Sequence, residues 1–157
     1  MVNIGPYDVK QHREGVREVL EKNGWERQYV EGQLAGLAVL SANSLPGTQG
    51  KVYVSESEEA VSGFVSVEFR VWNRLGQIHG LAVDPSLKRR GIASALISCA
   101  EGFVREEGGR GIYVDTPATN RGARGFYRAL GYQHAYTMPE YYDEKLDGVT
   151  YLKLIPR

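Results

Sequence analysis

The stretch QIHGLAVDPSLKRRGIASALI, residues 77–97, constrains this chain more than any other. It alternates as a strand, stops at Asp84-Pro85, and then sets Lys88, Arg89 and Arg90 directly before Gly91 and a helical apolar repeat. The start of a helix already carries about half a positive elementary charge. Three cations at the same place cost repulsion unless an anion settles there. The first N–H groups of a helix have no partner inside it and point outward. Gly91 lets the chain turn tightly and lets a ligand approach the backbone. Ala93 keeps the second point of approach small. Strand, cationic turn and helix together make an anion site, and a pyrophosphate suits it better than a single carboxylate.

Hydrophobic periodicity supplies the rest of the order. VNIG reads as a short first strand ending at Gly5-Pro6. Val9, Val16, Val19 and Leu20 fit an amphipathic helix over Val9–Lys22, stopped near Asn23-Gly24. A second helix is predicted from about Tyr29 to Ala42, with Val30, Leu34, Leu37 and Ala38 on one side, before the loop SLPGTQG. The period then changes to two. KVYVSES, SGFVSVEFRVW and QIHGLAVD read as three strands. A helix from about Arg90 to Glu107 places Ile92, Leu96, Cys99 and Phe103 at helical spacing, closed by Gly108-Gly109. GIYVDT is a strand, Arg121 to Leu130 a helix capped by Gly131, and YQHAYTM and VTYLKLI a final antiparallel pair around the loop PEYYDEKLDG. The order β-α-α-β-β-β-α-β-α-β-β predicts an α/β fold, a mixed sheet with helices on both faces.

The chain has 157 residues, and one domain over 1–157 is expected. Nineteen basic residues balance nineteen acidic ones, which argues against bulk nucleic-acid binding and makes any basic patch local. Cys99 is the only cysteine, so no internal disulfide forms. No apolar run approaches the roughly 20 residues of a membrane span. MVNIGPYDVKQHREG lacks the apolar core of a signal peptide, and a cytoplasmic protein is expected.

Neither a G-x-x-x-x-G-K-[ST] loop nor a G-x-G-x-x-G turn after the first strand is present. Lys88-Arg89-Arg90-Gly91-Ile92-Ala93 instead resembles the [Q/R]-x-x-G-x-[G/A] pattern of the GNAT superfamily of acetyl-CoA-dependent N-acetyltransferases, with Lys in the first place. IHGLAVDP is similar to that family's fourth strand, and NRGARGFYRALGY to its fifth-strand exit and fourth helix. The likeness covers residues 51 to 155; the first 50 match by element order. It is closest in character to the acetyltransferases of ribosomal proteins and protein N-termini.

The resemblance implies a GNAT-like acyl-CoA N-acyltransferase fold: a mostly antiparallel sheet with one splayed parallel pair. It implies acetyl-CoA, held by Lys88 through Ala93, by the free main-chain groups of Leu81, Ala82 and Val83, and by Asn120 and Tyr127. Tyr127 follows Asn120 by seven residues, as does the family tyrosine that protonates the leaving thiolate. Ala123, Phe126, Tyr127 and Leu130 share one helix face, so Tyr127 also suits a core wedge. Arg121, Arg124 and Arg128 suit coenzyme phosphates or a solvated face.

The general base has several candidates. Gln77 occupies the place of a family glutamate and takes no proton at neutral pH. His79 lies two residues on, on the same face by period two, and its ordinary pKa of about 6.5 suits a base. Asp115, five residues before Asn120, matches a family base with a side chain one methylene shorter. Glu68 on the third strand is the third. Trp72 and the Tyr141-Tyr142 pair of the last loop are candidate acceptor contacts, the pair beside Glu140, Asp143, Glu144 and Asp147. Acidic and aromatic groups suit a cationic amine. The partners implied are acetyl-CoA and an amine acceptor, with no nucleic acid, membrane or metal, and with homodimer assembly left open. A coenzyme-binding sensor of the same fold without turnover is the competing reading.

Overall fold

The computed structural model describes residues 2–156. Eleven regular elements follow the predicted order: β1 Asn3–Pro6, α1 Val9–Lys22, α2 Arg27–Ala42, β2 Thr48–Ser57, β3 Ala60–Arg70, β4 Leu75–Val83, α3 Ile92–Glu106, β5 Gly111–Pro117, α4 Arg121–Ala129, β6 Gln133–Asp143 and β7 Leu146–Leu154. A single 3-10 turn, Pro85–Leu87, sits between β4 and the cationic segment. Asp84 builds it, its carboxylate accepting from Ser86 N–H at 2.9 Å.

The seven strands form one sheet in the order β1-β2-β3-β4-β5-β7-β6. Only β4 and β5 run parallel; the other neighbours are antiparallel. Two apolar layers cover its faces. Val16 and Leu20 of α1 and Val30, Leu34 and Leu37 of α2 pack on Phe64 and Val52. Ile92, Leu96, Ile97, Ala100 and Val104 of α3 pack on Val65, Val67, Phe69 and Ile78 of the opposite face. Alternation along β3 explains both layers, because Phe64 and Val65 point to opposite sides. Side chains as deeply buried as these stabilise by about 1.5–3 kcal/mol each.

Several local expectations need correction. The core stripe of α3 runs through Ile97, Ala100 and Val104, while Cys99 and Phe103 are only half-buried. Ala38 of α2 faces solvent, and so does Val9 of α1. PEYYD is not loop: it continues β6, whose ladder with β7 breaks after Met138–Gly148 and resumes at Asp143–Leu146. Four residues on β6 thus oppose one on β7, and this wide bulge throws Tyr141 and Tyr142 out of register. Among the described residues, no helix is long and apolar enough to cross a membrane.

Candidate active site

The site begins where the sheet comes apart. β4 and β5 pair over Leu75–Ile78 and Gly111–Val114 and no further. Beyond that point β5 stays with β7 as far as Pro117, and β4 stays with β3 as far as Val83. From His79 to Val83, β4 has no strand partner on its β5 side, so main-chain groups stand free there. A cleft of about 930 Å³ opens at this fork, walled by Leu81, Ala82 and Val83 on one side and by Asn120 and Tyr127 on the other.

The cationic turn lies at the mouth of this cleft. Gly91 precedes α3 with φ +80°, a left-handed conformation that favours glycine, and no side chain caps the helix. The first intrahelical bond is Ala95 N–H to Gly91 carbonyl, at 3.0 Å. The N–H groups of Ile92, Ala93 and Ser94 are therefore open to a ligand. Lys88, Arg89, Gly91, Ile92 and Ala93 all line the cleft. Lys88, Arg89 and Arg90 are in none of the ion pairs among the described residues. Their charge is available to an anion.

α4 forms the other wall. Asn120 caps it, its side-chain oxygen accepting from Ala123 N–H at 3.0 Å. Asn120 itself lines the cleft. Tyr127 is 5% exposed, and its ring meets Phe126 and Tyr132 edge-on at 5.1 and 5.5 Å. Burial raises its pKa well above the usual tyrosine value, and the neighbouring Tyr142 adds to the shift. The core wedge and the cleft-lining tyrosine are thus the same residue. The three α4 arginines divide. Arg121 lines the cleft, whereas Arg124 turns inward to the Tyr151 hydroxyl at 3.0 Å and the Ala118 carbonyl at 2.9 Å. Arg128 lies over the Tyr151 ring at 5.9 Å.

On the sheet face shared with α1 and α2, a polar strip crosses four strands. Arg70 donates to Glu68 at 2.8 Å, to Gln77 at 2.9 Å and to the Tyr113 hydroxyl at 2.8 Å. Tyr113 donates to Gln77 at 3.0 Å, and Gln77 reaches Asp115 at 3.5 Å. Asp115 also accepts from Thr150 of β7. His79 Nε2 lies 3.0 Å from Glu68 Oε1. A register shift puts His79 opposite no residue of β3, since Ser66 faces Gly80 and Val67 faces Ile78. This bulge turns the imidazole toward Glu68. The strip joins all three candidate bases, Glu68, His79 and Asp115, through Arg70 and Gln77.

Tyr141 and Tyr142 come to the same place. Burial raises the pKa of both, and the charge of Asp115 is the next cause in each case. Their rings meet edge-on at 4.9 Å. Tyr142 adds to the raised pKa of Tyr127 as well, though neither tyrosine of the pair lines the cleft. Trp72 does not join them. It is 83% exposed at the β3–β4 turn, at the end of β4 away from Val83, roughly 26 Å along the strand at about 3.3 Å per residue. Another indole lines the cleft instead: Trp25, in the α1–α2 turn that Asn23 ties to the Val83 carbonyl at 3.0 Å. Sequence reasoning missed Trp25, Arg70, Tyr113 and Thr150. No spacing rule marks them; each is defined by a partner on a different strand or turn.

A sheet that forks at its one parallel pair, with an uncapped cationic helix start at the mouth of the fork, defines an N-acyltransferase type of architecture. The chain belongs to the acetyltransferase (GNAT) family, whose sequence model matches residues 18–132. It is 29% identical to human N-acetyltransferase 8B over 119 residues, 73% of this chain and 52% of that protein. The chain thus spans about half the length of that relative. Its fold is shared with the ribosomal-protein-S18-alanine N-acetyltransferase of Escherichia coli, at TM-score 0.76 and 16% identity over 100% of this chain and 96% of that one. It is shared also with an aminoglycoside 6'-N-acetyltransferase complexed with coenzyme A, at TM-score 0.81 and 17% identity over 99% and 98% of the two chains.

Proposed function

We infer that this chain transfers an acetyl group from acetyl-CoA to a primary amine. The observation that carries the reading is the fork: a cleft of about 930 Å³ bounded by a free strand edge and ending at open helix amides. Family membership and the coenzyme A complex of the aminoglycoside enzyme support the same coenzyme here. The residues present fit it. The amides of Ile92, Ala93 and Ser94, with Lys88, Arg89 and Arg90 beside them, suit the diphosphate. The free edge of Leu81, Ala82 and Val83 suits the two amide groups of the pantetheine arm, and the free part of Asn120 offers a further donor. When bound, acetyl-CoA supplies an activated acyl carbon and a thiolate leaving group.

The chain's own residues handle the protons. Glu68 accepts from His79 Nε2–H, which leaves Nδ1 with its lone pair free for the proton of the amine. Glu68 orients that base, and Arg70 neutralises Glu68. Asp115, engaged by Thr150 and Gln77, draws a cationic amine toward the sheet together with Tyr141 and Tyr142. The cationic amine first gives one proton to His79 and so frees its lone pair; the nitrogen then bonds the acyl carbon, the carbon–sulfur bond breaks, and the second proton of the nitrogen passes to the departing sulfur, which the Tyr127 hydroxyl meets. A tyrosine with an ordinary pKa of about 10 already loses a proton to a thiolate of about 8.5 only uphill, by about 2 kcal/mol. Burial raises the Tyr127 pKa further. Tyr127 therefore serves first as a hydrogen-bond donor to the departing sulfur.

The test is direct. Acetyl-CoA, but not ATP or NAD, stabilises the protein against heat, by about 2.7 kcal/mol at 100 times its dissociation constant. Polyamines, amino acids and peptides with free N-termini, scored for thiol release, then find the acceptor. Stabilisation by acetyl-CoA without thiol release from any amine would make the chain a coenzyme-binding sensor instead.

A further inference from the structure

α2 carries one polar residue where its apolar stripe calls for none. Val30, Leu34 and Leu37 are buried against the sheet, and Gln33 lies on the same side of the helix, half-buried. Its carboxamide is not among the buried polar atoms that lack a partner, so it stays open to a ligand. Below it is Gly80, the second β4 residue past the last β4–β5 rung. A Cβ on Gly80 would meet Gln33 Nε2 at 2.5 Å, Cδ at 3.0 Å and Oε1 at 3.1 Å. The absence of a side chain at Gly80 is what lets the Gln33 amide rest on the strand. Gln33 takes no part in the polar strip beside it. Opposite Gly80 on β3, Ser66 is fully buried and its hydroxyl has no hydrogen-bond partner. His79, the adjoining residue, turns to the same face.

We propose that Gln33 is an acceptor-contacting residue, whose carboxamide hydrogen-bonds the incoming amine above Gly80 and holds its nitrogen between His79 and the fork. The inference rests on the acetyl-transfer reading given above. An amine must present its lone pair to the acyl carbon and an N–H to the base. A third group fixed over the same residue of β4 restricts the nitrogen to that orientation, an effect felt in the reaction rate. Gly80 makes room for it, and the apolar neighbours on α2 hold the glutamine stem in place.

The experiment is a mutant cycle on kcat/KM for the amine, with a hexapeptide bearing a free N-terminal alanine and putrescine as the probes. Gln33→Ala and Gln33→Met each lower kcat/KM about tenfold, the loss expected for one hydrogen bond. Calorimetry shows acetyl-CoA binding unchanged in both. Gln33→Met keeps the packing over Gly80, so recovery of activity in that variant would reduce Gln33 to a filler and overturn the proposal. Gly80→Ala displaces Gln33 and lowers kcat/KM as well, but adds nothing in the Gln33→Ala background. Full additivity of the two changes, or wild-type kcat/KM in Gln33→Ala, also overturns it. Thermal melting of all four proteins separates a folding defect from loss of the contact. If neither probe releases thiol from the wild type, the acetyl-transfer reading itself fails for these amines, and the Gln33 contact falls with it.

Discussion

His79 reaches Glu68 across the one rung of the β3–β4 ladder where β4 holds an extra residue, Nε2 to Oε1 at 3.0 Å. The bulge, not the period-two spacing of β4, brings the pair together. Loss of a positioned base typically costs 10²–10⁴-fold. His79→Gln is therefore expected to lower kcat/KM for the amine by about 10²-fold or more. Glu68→Gln, which keeps an acceptor for the imidazole, is expected to lose less than Glu68→Leu. Wild-type kcat/KM in His79→Gln assigns the base elsewhere.

Asp115 has both oxygens engaged, by Thr150 and by Gln77. Asp115→Asn is expected to raise KM for a cationic acceptor several-fold and to leave kcat close to wild type. Steady-state kinetics with the amine varied read this split. A fall in kcat with KM unchanged would make Asp115 the base in place of His79.

Tyr127→Phe keeps the ring contacts with Phe126 and Tyr132 and removes only the hydroxyl. It is expected to lower kcat about 10- to 100-fold, with acetyl-CoA binding and melting temperature little changed. Product formation in single-turnover mixing checks this.

Gly91→Ala forces a Cβ into φ +80°, at a cost of about 1–2 kcal/mol. Open space surrounds the position, so the cost is one of backbone, not collision. The amides of Ile92 to Ser94 shift with it, and the affinity for acetyl-CoA is expected to drop along with thermal stability. Calorimetric titration at two salt concentrations checks both the site and its charge: binding weakens as salt rises, because Lys88, Arg89 and Arg90 act through Coulomb attraction.

Burial raises the pKa of Tyr127, Tyr132 and Tyr142, and for Tyr132 the Glu101 carboxylate that accepts from its hydroxyl at 2.7 Å adds to the effect. Each folded-state pKa lies above the unfolded value of about 10. The folded state then keeps protons that the unfolded state releases. Their contribution to stability is whole below about pH 10 and is lost as the pH rises beyond it. Tyrosinate absorbance is expected to show the two buried ones, Tyr127 and Tyr132, among the ten tyrosines ionising only as the circular dichroism of the fold disappears.

The order of elements was legible because helix and strand periods are local. So was the uncapped cationic helix start, since Gly91 and the open amides follow one another in the chain. The polar strip was not. Arg70 carries no sign in its own neighbourhood that Tyr113, far along the chain, will accept from it. His79 fell on the expected face, yet through a bulge that appears only once β3 is beside β4. The β6 extension was hidden because Pro139 and the acidic residues after it look like a turn, and only the Asp143–Leu146 pair beyond the bulge shows that the strand resumes. Trp72 looked like a contact because it is aromatic and near a turn; its turn lies at the wrong end of the sheet. Trp25 and Gln33 meet β4 only through the packing of α1 and α2.

The fork has a mechanical side. Among the described residues, four rungs, Leu75–Gly111 to Ile78–Val114, are the only ladder joining the β1–β4 half of the sheet to the β5–β7 half. Each half has its own antiparallel partners, and outside that short seam the two are tied by side chains, Arg70 and Gln77 to Tyr113 and Asp115. A coenzyme arm lodged between them would act as a suture. Amide hydrogen exchange would then slow on both banks at once, at Gly80–Val83 and at Asp115 and Thr116, well away from the phosphates that anchor it.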